Sequence, residues 1–255
     1  MGTSSIYNGP TKSSALLPDD YNPEEKKLII VSWGDVKTTL SKYINNRPSS
    51  DTERRKAVKN LASKYVGASG GSRAIISVAN GGISAGRSLY RFYEGIKSEG
   101  IKNTLTDLNV DFSGKNIKDV FSMLVNALSP NSVTKEDIVA REATQSALSS
   151  VYDYIERNSM DIDCLDEMPQ DVIDLSMKEY FKAYLWGLML RDLESRLEIY
   201  EDNPETAYRI EQDIKDYLAS IVDVEFNNDK NAFKADPEGS VKRIMEKCLS
   251  VMEGN

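Results

Sequence analysis

The hydrophobic pattern is strongest beyond residue 100. Ile117, Val120, Phe121, Leu124, Val125 and Leu128 recur at i, i+3, i+4, i+7, i+8 and i+11, which predicts an amphipathic helix ended by Ser129-Pro130. Thr134 with Asp137 three residues on approximates a capping box. It opens a second helix through Ala140, Ala143, Ala147, Leu148, Val151, Tyr152 and Ile155. Between Val172 and Tyr200 the pattern predicts a long helix whose middle, Tyr180 to Leu190, is apolar nearly all round, as in a central buried element. Asn203-Pro204-Glu205 and Asp236-Pro237-Glu238 each place a capping side chain before a proline and an acid. They predict helices through Ile210, Ile214, Tyr217, Leu218 and Ile221, and through Val241, Ile244, Met245 and Leu249.

The first hundred residues are less regular. Met1 to Asn22 is dominated by small and polar residues, with too little apolar surface to offset the entropy of ordering, and reads as a flexible tail. Lys27 to Trp33 is a short β-favouring run, Val36 to Tyr43 a short helix, and Asn45 to Ser50 a linker. Asp51 or Thr52 is placed to cap a helix carrying Ala57, Val58, Leu61, Ala62, Tyr65 and Val66. The Gly- and Ser-rich stretch from Gly67 to Gly100 reads as two helices broken around Asn80-Gly81-Gly82. The expected fold is all-α: an irregular helical bundle over 51–255, behind a flexible, partly extended region over 1–50.

Charge sharpens this division. Residues 1–100 hold 15 Lys and Arg against 9 Asp and Glu, whereas residues 101–255 hold 17 against 31, so a net +6 front precedes a net −14 back. Within the helical part, 51–100 is therefore the basic section and 101–255 the acidic one. Arg54, Arg55, Lys56, Lys59 and Lys64, with Arg73, Arg87 and Arg91, are candidate contacts for nucleic acid or another anionic partner. The competing reading is a solvated helix face, which the lack of a dense Lys/Arg block favours.

The chain has no histidine, which removes imidazole acid–base chemistry, and its two cysteines, Cys164 and Cys248, lack CxxC spacing. No signal peptide or membrane span is evident, and a cytoplasmic location is expected. Gly81 to Ser88 reads GxxxxGRS, close to a phosphate-binding loop, but Arg87 replaces its lysine and no parallel-strand framework accompanies it. A helix break permitted by glycine is the favoured reading, with a nucleotide-hydrolysing site as a rival. Asp161, Asp163, Asp166 and Glu167 lack calcium-loop spacing because Leu165 interrupts it, and they read as an inter-helix turn.

Gly2 follows Met1 in a context where the initiator is normally removed, although Ile6 breaks the myristoylation pattern. A terminal glycine amine, with a pKa of about 7.7–8.0, keeps a nucleophilic fraction near neutral pH. The absence of Cβ lets such a residue enter a narrow site, and the small Thr3, Ser4 and Ser5 would fit behind it. On physical grounds alone an ordinary flexible start is favoured.

Met1-Gly2-Thr3-Ser4-Ser5, then Gly9-Pro10 and Leu16-Leu17-Pro18, resemble the start of QatB proteins of the Qat anti-phage defence systems. The likeness continues through Tyr65 to Arg73, Gly81-Gly82 and Gly86 to Leu89, then Leu105, Leu108 and Ala127 to Pro130. It departs after the Leu-Pro step, where family members often carry Trp and this chain has Asp19-Asp20-Tyr21. The resemblance implies a non-enzymatic component working with an ATPase, a QueC-like enzyme and a TatD-like nuclease. It implies that Gly2 is the amine acceptor for a deazaguanine carboxylate, with Thr3, Ser4, Ser5, Gly9, Pro10, Leu16, Leu17 and Pro18 forming the recognition tail. ATP, the deazaguanine precursor and any zinc would belong to the QueC-like partner. The alternative expectation is a helical nucleic-acid-binding or adaptor module built on 51–100.

Overall fold

The computed structural model describes residues 31–131, 133–158, 160–197 and 204–254, and among these every regular element is helical. Ten α-helices follow in order: α1 Trp33–Asn45, α2 Asp51–Ala68, α3 Ser72–Val78, α4 Asn80–Glu99, α5 Ile101–Asp107, α6 Ile117–Leu128, α7 Lys135–Arg157, α8 Gln170–Leu197, α9 Pro204–Ala235 and α10 Pro237–Glu253. A 3₁₀ helix, Ile162–Glu167, lies between α7 and α8.

The long apolar helix takes the predicted central place. No residue from Tyr180 to Leu190 is exposed, and α8 packs against α1, α4, α7 and α9. Its most extensive partner is α7, whose Ala140, Ala143 and Ala147 are fully buried, since alanines let two helix backbones approach closely. Inside this interface Ser176 donates to the Ala147 carbonyl at 2.8 Å and meets the buried Tyr93 hydroxyl at 2.5 Å, so α4, α7 and α8 are joined by a satisfied polar chain. Helix α6 buries its predicted stripe except for half-buried Ile117.

Caps account for several boundaries. The Thr134–Asp137 box opens α7, and Asp236 accepts from the Gly239 N–H at the start of α10. Gly100 separates α4 from α5 with φ of 81°, a conformation that L side chains rarely adopt. Asp166 then accepts from the Ile101 N–H at 2.6 Å, giving the short α5 its N-terminal partner.

Three boundaries differ from expectation. Helix α1 falls within 1–50 and places Val36 and Leu40 in the core, so the packed body includes Trp33–Asn45 rather than starting at Asp51. Its N-cap is Ser32, in a reciprocal box with Asp35, which makes Trp33 helical rather than the end of a strand. Residues 1–30, including most of that strand expectation, lie outside the described residues. Helix α2 is capped by neither Asp51 nor Thr52; Ser50 is its N-cap, and the Asp51 carboxylate pairs with Arg54 in the first turn. The two helices expected between Gly67 and Gly100 are present as α3 and α4, but their break falls at Ala79, so Asn80-Gly81-Gly82 opens the second of them.

Candidate functional site

At the α3–α4 break, the N-terminus of α4 presents the Gly81 and Gly82 N–H groups, which no turn of α4 can satisfy. Glu136, in the first turn of α7, takes both: Gly81 donates to Oε2 at 2.9 Å and Gly82 to Oε1 at 2.6 Å. The Tyr184 hydroxyl from α8 also donates to Oε1, at 2.6 Å, and Tyr180 one turn earlier donates to the Gly82 carbonyl at 2.5 Å. Burial, and then the Glu136 carboxylate, push the Tyr184 phenol above its ordinary value, which keeps it a donor. A Cβ on Gly82 would come within 2.2 Å of Tyr184 Cζ, so glycine is required for the ring to lie against the helix.

This geometry decides the status of Gly81 to Ser88. The segment is helical, and the anion at its N-terminus is the chain's own glutamate, placed where a phosphate would meet a phosphate-binding loop. The node opens onto a groove of about 520 Å³ bounded by Trp33, Ile75, Val78, Leu188, Arg191 and Asp192, among others. Arg191 makes two hydrogen bonds to Asp192, which also accepts from Tyr65, while Trp33 meets the Tyr65 ring edge-on at 5.8 Å.

The basic candidates do not form one surface of equivalent charges. Arg54 is half-buried, pairs with Asp51, lies 3.6 Å from Asp213 and donates to the Pro48 and Ser49 carbonyls. Arg47 grips Asp213 at 2.6 and 2.9 Å, and Tyr43 donates to the same carboxylate at 2.6 Å. Burial raises the Asp213 carboxyl, but the Arg47 and Tyr43 hydrogen bonds and the Arg47 and Arg54 charges outweigh it and hold it below the usual range. This cluster ties α1, α2 and α9 together. Arg55 and Lys59 are exposed on α2, Arg73 on α3 and Arg91 on α4, whereas Arg87 is half-buried. The acidic turn is used locally: Asp161 accepts from the Asp163 N–H, Asp163 pairs with Lys102, and Asp166 caps α5.

Gly2, Thr3, Ser4, Ser5, Gly9, Pro10, Leu16, Leu17 and Pro18 lie outside the described residues. Glu136, Tyr180, Tyr184 and Asp213 were not singled out by sequence. The i, i+4 spacing of the two tyrosines was a visible sign that they share a face, but their meeting with Gly82 and Glu136 depends on tertiary packing. No described helix is long and apolar enough to cross a membrane.

A family model described as "Qat anti-phage system associated protein QatB" matches residues 70–252, from the turn before α3 into the last turn of α10. No curated protein and no solved structure matches the chain.

Proposed function

Since the chain belongs to the QatB family and is thereby a component of a Qat anti-phage system, we propose that it acts there as a protein substrate and scaffold, with Gly2 as the acceptor amine. A QueC-like partner binds the recognition tail and uses ATP to activate a deazaguanine carboxylate. The Gly2 nitrogen attacks the activated carbonyl carbon, the activating group leaves with a carboxylate oxygen, and the amine loses a proton as the amide forms. The partner supplies the catalytic groups and any zinc.

The observation supporting a substrate over an enzyme is the Glu136 carboxylate on the Gly81 and Gly82 N–H groups. The segment most like a nucleotide loop is committed to an internal helix junction. The ATP-dependent step is therefore assigned to the partner. Incubation of the Met1-processed chain with the QueC-like partner, ATP and the deazaguanine carboxylate is expected to consume ATP and give an adduct mapping to Gly2. Gly2→Leu is expected to give no adduct. An adduct mapping to lysine in the unsubstituted chain would overturn the assignment.

A further inference from the structure

A groove lies beside the α3–α4 break. Its volume is about 520 Å³, within the range of roughly 300–1,000 Å³ usual for ligand pockets. Trp33 and Val78 on its walls are 37 and 67 % exposed. Val31 packs on α2, where a Cβ at Gly67 would lie 3.2 Å from its Cγ2, and Gly67 adjoins the groove residue Ala68. Val31, the first described residue, thus lies beside the rim of this groove.

The three residues preceding Val31 are Leu28-Ile29-Ile30, with Lys26-Lys27 just ahead of them. Ile30 is three residues from Trp33, a span of at most about 11 Å even when extended. The lining of the groove also includes two carboxylates, Glu136 and Asp192, against one guanidinium, Arg191. An apolar triplet preceded by two lysines therefore complements both the walls and the charge.

We infer that the groove between Trp33, Val78 and Leu188 is the docking site for this chain's own Leu28-Ile29-Ile30 segment. Docking there covers Trp33 and Val78 and anchors the tail at the α3–α4 break, leaving the residues before Leu28 to reach a partner. This inference does not depend on the chemistry at Gly2, and its test uses the isolated full-length chain.

Val78→Cys and, separately, Val224→Cys are introduced into a Cys164→Ser background, and their reaction with a water-soluble thiol reagent is timed. Val224 is exposed on α9 and is not a groove residue. The position 78 thiol is expected to react at least ten-fold more slowly than the position 224 thiol, independently of protein concentration. Combining Leu28→Ser, Ile29→Ser and Ile30→Ser is expected to remove that protection while the buried Cys248 stays unreactive, showing that the fold persists. Equal rates at 78 and 224 in the unsubstituted tail would overturn the inference without requiring the triple variant to fold. So would protection lost on dilution, which would identify a second copy as the occupant, or protection that survives the triple substitution.

Discussion

The Tyr184 hydroxyl donates to Glu136 Oε1 across 2.6 Å, joining the middle of α8 to the first turn of α7 at the point where α4 begins. Since Glu136 also satisfies two backbone N–H groups, losing either partner has unequal consequences. Tyr184→Phe removes one hydrogen bond to a charged acceptor and is expected to cost about 1–2 kcal/mol. Glu136→Gln turns one acceptor oxygen into a donor facing an N–H and is expected to cost more, about 2–3 kcal/mol. Urea unfolding of the two variants and their double mutant checks the order. Strictly additive effects would show that the pair is not coupled.

Gly82→Ala places a methyl group in the space of the Tyr184 ring, 2.2 Å from Cζ, and the ring is held at its far end by Glu136. Overpacking of this kind costs about 1–3 kcal/mol. A lowered urea midpoint with an unchanged slope is expected, and Tyr184→Ala in the same chain should recover part of the overpacking loss.

Acid sensitivity should centre on Asp213. Its folded-state pKa lies below the unfolded value of about 3.9, so its contribution is fully present above that value and is lost as pH falls through the folded one. Stability is expected to fall below about pH 4. Asp213→Asn, which leaves Arg47 without its anion, should cost on the order of 2 kcal/mol at pH 7 and flatten the acid limb. An unchanged acid limb in this variant would place the sensitivity elsewhere.

The two thiols should separate cleanly. Cys248 is fully buried, and burial pushes its thiol up to about 12, so it should resist thiol reagents at pH 7 until the chain unfolds. Cys164 is half-buried and raised mainly by burial, then by Asp161 and Asp163, so it should react first but more slowly than a free thiol. Mass mapping after timed labelling gives the order directly.

Long periodic stripes made much of the fold legible. The α6 stripe, the Thr134–Asp137 box, the Asp236 cap and the buried middle of α8 all follow from local rules, because each uses residues within a few turns of one another. The place of α1 was harder to read. Its Ser32–Asp35 box is local, but its packing is not: beyond the neighbouring α2 it meets α8 and α9, and Tyr43 donates to Asp213, 170 residues away. The Gly81 to Ser88 stretch has no strand framework in the sequence and is helical in the structure, whereas its partner Glu136 lies 54 and 55 residues along and carries no local mark. Arg54 reads as a basic surface contact in sequence because the aspartate that draws it inward belongs to α9.

The most direct test of the central claim is the intact mass of this chain purified from cells that also express the QueC-like partner and supply the deazaguanine precursor. The account predicts loss of Met1 and a gain equal to the deazaguanine carboxylic acid less one water, carried by the peptide that begins at Gly2. An unmodified Gly2 peptide under those conditions, with full phage defence retained by Gly2→Leu, would contradict it.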